Sequence, residues 1–347
     1  MCDARDPMLH QFNFDIQLQL TPTILLDTSY SGAIGRDLSS LFINENQIPF
    51  SQALTGNNKQ ANRPFPYING TVIPTFSTAS NNYNSANFRL EKRTSNGLAL
   101  LVNYTIQKNL ESGGAGPDAY TQNGGTSIAM DTYNIARERS YAPIDIPQIF
   151  SASAGYELPF GPGKRWLSHG GFAGKIIGGW QVNTIVTLRG GFPTDIRTNV
   201  LPPIFNTFNV ADRVSGQPMV LDNASVDGYF NPAAFAVPGT VPSASGASIQ
   251  QFGNSARRVA RGPGSKNVDL SIFKNTTIGE RAMLQFRAEF FNFTNTPTFF
   301  LPAANSPTLT CIGAPGSACN SNNSLFGTLS SGRATGRQIQ FGLKLYF

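Results

Sequence analysis

Charge, cysteine, histidine and long apolar runs are all scarce in this 347-residue sequence. Charged residues make up 13% of it, against roughly 25% in a soluble globular protein, which argues against a chain whose whole surface meets water. No stretch approaches about 18 consecutive apolar residues, so a membrane-spanning helix is excluded. The two histidines, His10 and His169, stand far apart and lack the Cys or carboxylate spacing of a zinc site. No metal or cofactor is expected. No Gly-x-Ser-x-Gly elbow precedes a helix, and no convincing helix is found for one. Gly161-Pro162-Gly163-Lys164-Arg165 lacks the spacing and the Ser or Thr of a phosphate loop. The sequence therefore reads as that of a non-enzyme. The net charge is +6, but its densest basic group, Arg257, Arg258 and Arg261, has no interleaved aromatics. It reads as a basic loop, and no nucleic-acid partner is expected. Among three cysteines, Cys311 and Cys319 flank a flexible segment able to close a small disulfide loop, while Cys2 has no evident partner. Met1 to Pro7 has neither the basic start nor the apolar core of a signal peptide.

What the sequence does have is alternation. From Gln11 to Leu20 the even positions are Phe12, Phe14, Ile16, Leu18 and Leu20, and the odd ones are polar. A period of two means a strand with one greasy face. The pattern resumes after Thr21-Pro22 with Ile24, Leu26 and Tyr30. A second hairpin pairs Ala86, Phe88 and Leu90 with Leu98, Leu100, Val102, Tyr104 and Ile106 across Ser95-Asn96-Gly97, although Leu101 breaks its polar face. A third sets Phe150 to Leu158 against Trp180 to Leu188, and a fourth sets Val268 to Ile272 against Leu284 to Phe290 with a turn near Gly279-Glu280. A ninth strand ends the chain with Ile339, Phe341, Leu343, Leu345 and Phe347 all on one side.

Short connections near Thr21, Asn96, Gly161 and Gly279 alternate with long ones over 33–82, 109–146, 190–266 and 294–337. Short inner turns and long outer loops are the habit of bacterial outer-membrane barrels. The fold class predicted is all-β: an antiparallel, up-and-down transmembrane β-barrel facing outer-membrane lipid. Its polar lumen would be lined by Asn103, Gln181, Asn183, Gln285, Arg287 and Glu289. An odd count of nine strands, the first running downward, reads as a barrel entered partway round, because complete single-chain bacterial barrels are even-numbered. Val72 to Thr78 also looks extended but holds Pro74 and is assigned to the first long loop. Were it to span, that parity would change. The terminal aromatic Phe347 and the alternation before it suit both the interfacial girdle and, as in outer-membrane proteins generally, the signal read by the barrel-assembly machinery. A small complete passive porin and a secreted or surface β-sandwich binding module are the rival readings.

Several segments resemble the barrel of Oar-like TonB-dependent transporters: Asn82-Tyr83-Asn84-Ser85-Ala86, Ser95-Asn96-Gly97, Leu158-Pro159-Phe160-Gly161-Pro162-Gly163-Lys164-Arg165, Gly178-Gly179-Trp180-Gln181, Tyr229-Phe230-Asn231-Pro232-Ala233-Ala234-Phe235 and Arg287-Ala288-Glu289-Phe290-Phe291-Asn292. The resemblance extends over nearly the whole chain. It implies that residues 1–347 are the C-terminal segment of a barrel of about 22 strands, of which about 9–10 are present. No counterpart of a plug is seen here. It further implies uptake of an unidentified ligand, with TonB engaged only through a plug and N-terminal region outside this sequence.

Overall fold

The computed structural model describes residues 5–38, 43–73, 78–112, 128–167, 171–279, 281–299, 309–319, 325–329, 332 and 336–347. Of the positions singled out above, Cys2, His169, Glu280 and the 74–77 stretch with Pro74 lie outside the described residues.

Nine long strands form one sheet in chain order, every neighbour antiparallel. They are β1 (Met8–Thr21), β2 (Ile24–Leu38), β3 (Ala79–Ser95), β4 (Leu98–Ser112), β5 (Gln148–Glu157), β6 (Trp180–Arg189), β7 (Ser265–Ile278), β8 (Ala282–Phe291) and β9 (Gln338–Tyr346). A short strand, Arg139–Tyr141, adds to the outer end of β4. Among the described residues the outer edges of β1 and β9 pair with nothing, and the sheet does not close on itself.

The register shows why this sequence makes this sheet. One row across seven strands reads Gln17, Asp27, Arg89, Asn103, Ser151, Thr187 and Asn267. The next row reads Leu18, Leu26, Leu90, Val102, Ala152, Val186 and Val268. Slipping any strand by one residue would exchange its two faces, so the alternation itself holds the pairing. The apolar face is bare: Phe14, Leu18, Phe286, Phe341 and Leu343 are all exposed, and no layer of protein covers them among the described residues. A bare apolar sheet of this extent is stable only against lipid.

Strands of 14 to 17 residues in β1 to β4 exceed the roughly 9–11 needed to cross a bilayer. Their outer ends therefore stand above the membrane and carry the long loops. At the other end the turns are tight, with one exception. The connection between β5 and β6, expected to be short, runs from Leu158 to Gly179 and contains a helix, α2 (Phe172–Ile177). Gly161 lies against Gly178 there, and a Cβ on Gly161 would sit 2.7 Å from the Gly178 Cα. Only glycines permit that crossing. A second short helix, α1 (Phe50–Leu54), lies in the first long loop. Val72 also belongs to that loop, its amide donating to Asn44 Oδ1 at 3.1 Å.

Candidate functional site: the lumen wall and the loop cap

All six residues expected in the lumen share the polar face. The register aligns Arg287 with Phe273 and Gln181, and Glu289 with Ser271 and Asn183. Gln285 stands opposite Asn275, and Asn103 opposite Arg89 and Ser151. They fall into neighbouring groups rather than one cluster. Gln285 Nε2 donates to Asn275 Oδ1 at 2.8 Å, and Arg287 Nε donates to Gln285 Oε1 at 2.6 Å while its guanidinium lies 4.8 Å from the Phe273 ring. Gln181 Nε2 donates to Asn183 Oδ1 at 2.8 Å. A hydrogen-bonded wall of amides and one guanidinium suits a wetted passage, because every group can exchange its partners with water or a polar solute.

Several apolar residues interrupt this wall, Leu25, Leu101, Ile185 and Phe273 among them. Leu101 and Ile185 both align with Ser153 and so lie on the polar face, beside Arg89, Glu91 and Asn183, where they line a concavity of about 650 Å³. The breaks in alternation at Leu101 and at Ile185, which stands between Asn183 and Thr187, are both visible in the sequence; only the register brings the two together.

The predicted C-terminal signal residues Ile339, Phe341, Leu343 and Leu345 lie on the lipid side of β9, and Phe347 follows the strand, fully exposed. His10 sits in β1 on the side of Phe12 and Phe14.

The long loops hold what sequence reading missed. They fold together into a cap with its own core, in which Ile196, Phe230, Phe235, Val237, Leu309 and Phe326 are buried. Cys311 and Cys319, both buried, are joined in a disulfide with a Cα separation of 4.8 Å. Thr310 and Cys311 pair in parallel with Arg197 and Thr198, which ties the fourth long loop to the third. The first loop is stitched in by Gln47, whose Nε2 donates to the Met130 carbonyl at 3.1 Å and whose Oε1 accepts from the Thr132 amide at 2.6 Å.

Arg257 and Arg258 lie in a loop, as read from the sequence, but are buried there, at 1% and 4% exposed. Arg257 Nη1 reaches Glu138 Oε2 at 2.7 Å and its Nη2 lies 3.6 Å from Asp195. Arg258 lies 3.2 Å from Glu111 at the top of β4, and its Nη1 donates to the Tyr141 carbonyl at 2.7 Å. Arg261 pairs with Asp145. Burial opposes the charge on Arg257, yet Asp195 and Glu138 overcome it and hold the guanidinium more firmly protonated than usual. For Asp195, burial favours the neutral acid, but Arg257, Arg258, Arg197 and the Arg258 amide outweigh it and keep the carboxyl below its ordinary range. Buried charges survive only when paired in this way. The cluster is a clasp between the second and third long loops, and its side chains are turned toward one another.

Among the described residues no group of His, Cys, Asp and Glu has the arrangement of a metal site.

A family model described as "Outer membrane beta barrel domain" matches residues 2–340. Nothing matches among curated proteins. Among solved structures the chain is similar to the outer membrane transporter YddB from Escherichia coli, at 7% identity and a TM-score of 0.45, with 99% of this chain and 33% of that one covered. This chain thus spans about a third of that transporter's length. A sheet that turns one polar face inward and bares one apolar face, with its long loops gathered at one end and a family match along nearly its whole length, leads to one conclusion: the chain belongs to the outer membrane beta barrel domain family and is a protein of the outer membrane.

Proposed function

We propose that this chain is part of the wall and outer loops of a TonB-dependent transporter of the Oar-like kind, and that it serves uptake of a ligand rather than catalysis. The observation that carries the reading is the open sheet. Nine strands of alternating polarity lie side by side, yet β1 and β9 do not pair with each other. A small passive porin would close its own edges, because unpaired backbone groups are not tolerated in hydrocarbon. A wall of this kind calls for further strands, as in a larger plugged barrel of about 22. The loop cap supports the same reading, since long loops joined pairwise by separate buried apolar clusters and by a buried ionic clasp present a shaped outer surface. Its most buried carboxylates, Glu138, Asp145 and Asp195, are each engaged by an arginine, which leaves them ill-placed for acid–base work.

On this reading TonB acts through a plug outside this sequence, and the barrel-assembly machinery takes up β9 through its outward apolar row. The test is an immunoblot of native outer membranes with an antibody against the last loop and strand. A band several-fold heavier than 37.4 kDa is expected. A folded species at 37.4 kDa in the membrane would overturn the proposal in favour of a small passive barrel.

A further inference from the structure

The connection between β5 and β6 lies at the short-turn end of the sheet, which in bacterial outer-membrane barrels faces the periplasm. Its helix α2 is hung from the lipid side of the wall. Trp180 and Lys274 are opposite one another, and Lys274 is opposite Phe286, so all three lie on the apolar face. Trp180 Nε1 donates to the Ile176 carbonyl at 3.0 Å, and Lys274 Nζ donates to the carbonyls of Lys175 and Gly178 at the helix's C-terminal end. Both tethers draw the helix toward the bilayer side rather than the lumen.

The helix and the segment before it are greasy without being covered. Phe172 is 81% exposed, Ile176 52% and Trp166 50%, and Leu167 and Ile177 are exposed as well. Basic residues are interleaved with them: Lys164 and Arg165 precede Trp166, and Lys175 precedes Ile176. The Arg165 guanidinium lies 5.7 Å from the Trp166 ring, which packs on Phe160 at 5.3 Å. Between this segment and the Asn96-Gly97 turn opens a cleft of about 560 Å³, walled by Tyr156, Pro159, Lys164, Arg165 and Trp166, with Glu157 accepting from Lys164 at 2.6 Å. Tyr156 is opposite Val182 and so also belongs to the lipid face.

We propose that this rim is a docking surface for phospholipid of the periplasmic leaflet. The headgroup phosphate sits in the cleft against Lys164 and Arg165, and the acyl chains run along Trp166, Phe172 and Ile176. Two observations name lipid as the occupant. The apolar patch is continuous, through Trp180 and Tyr156, with the bare face that the bilayer already covers. Its flanking charges are cationic on balance, Lys164, Arg165 and Lys175 against the one carboxylate Glu157, as anionic and zwitterionic phosphates require, and aromatic and basic side chains together are what settle at a headgroup boundary.

The sequence supplies its own probe, because its two tryptophans, Trp166 and Trp180, both lie in this region. The protein is reconstituted into vesicles of phosphatidylethanolamine and phosphatidylglycerol that carry bromines at either shallow or deep acyl positions. The contribution of Trp166 is isolated as the difference between the native protein and Trp166→Phe. Emission quenched by shallow bromines more than by deep ones, and shielded from aqueous iodide, is expected. Quenching by iodide and not by brominated lipid would overturn the proposal by placing Trp166 in water. Quenching by neither would overturn it by showing a protein partner on the patch. A second readout is lipid phosphorus retained through detergent purification. A loss of it in Lys164→Gln/Arg165→Gln, with the strand signal in circular dichroism unchanged, is expected, and equal retention would overturn the headgroup assignment.

Discussion

Leu343 and Lys344 are neighbours in the chain but face different solvents. Leu343 is opposite Phe286 and 68% exposed on the bare side, while Lys344 is opposite Gln285 on the lumen side. Placing Lys at Leu343 should therefore destabilise the barrel by about 2–4 kcal/mol near mid-bilayer, whereas Gln340→Lys, on the lumen face, should be tolerated. Denaturant titration of the folded protein in lipid measures both, and equal losses on the two faces would contradict the register. Above the membrane the sensitive residues are the arginines of the clasp. Removing Arg257 leaves Glu138 and Asp195 buried without their shared cation, a change that costs about 3–5 kcal/mol. Arg257→Ala should open the outer loops to protease while the strand signal persists. The pH dependence follows from Asp195. Its folded value is depressed below the ordinary 3.8, so its contribution is complete above that pH and fades as pH falls through the lower folded value. The cap should stay closed across neutral and mildly acidic conditions and loosen only in strong acid. Hydrogen exchange of the loop amides across pH would reveal this, and loosening between pH 5 and 7 would point to a different group. The sequence could not announce the clasp. Arg257, Arg258 and Arg261 look alike in composition, and burial of the first two depends on Glu138, Glu111 and Asp195 arriving from distant parts of the chain.

At the scale of elements, the strands were legible because lipid and lumen impose opposite demands on alternate residues, as the Gln17 and Leu18 rows show. The tight turn at Asn96-Gly97 was legible for a similar local reason. Both residues have positive φ, at 51° and 81°, and a Cβ on Gly97 would stand 2.8 Å from the Glu157 carbonyl oxygen. Gly97→Ala should thus slow refolding into lipid and lower stability by about 1 kcal/mol or more, a loss that stopped-flow fluorescence and equilibrium titration would register. The loops were not legible, since their core residues recur with neither period. Phe230, Phe235 and Leu309 are buried by packing between residues 192–260 of the third loop and 309–329 of the fourth, among the described residues. The spacing of Cys311 and Cys319 only permitted a bond; the placement of that disulfide within the cap core had no signal in sequence. A link across a separation of 8 residues contributes about 2–3 kcal/mol by restricting the unfolded loop. Cys311→Ser with Cys319→Ser should make the fourth loop the first to be cleaved in limited proteolysis while leaving β9 paired. Unchanged cleavage would mean that the parallel pairing of Thr310 and Cys311 holds the loop unaided. The helix α2 escaped detection for another reason: six residues are too few to show a helical period.

For the molecule as a whole, the decisive quantity is the backbone left unpaired at the two ends of the sheet. The outer edge of β1 runs for 14 residues and that of β9 for 9, and on an edge roughly every second residue turns its N–H and C=O outward. In water those groups find solvent. In hydrocarbon each one left alone costs several kcal/mol, so a dozen or so of them across the membrane would exceed the whole stability of an ordinary domain, about 5–15 kcal/mol. Side-chain changes cannot offset a term of that size; only another strand can. On the reading proposed above, the wall closes in a bilayer by meeting further strands of a larger barrel or copies of itself. Expressed as residues 1–347 alone and refolded into lipid, it should give SDS-resistant multimers or aggregate, with no heat-modifiable monomer at 37.4 kDa. On that reading, joined to further strands of a larger barrel, it should migrate as one compact folded species and present the loop cap to protease from outside the cell. A stable monomeric barrel from residues 1–347, passing ions across a planar bilayer, would mean that β1 and β9 meet after all, and the transporter reading would give way to a pore.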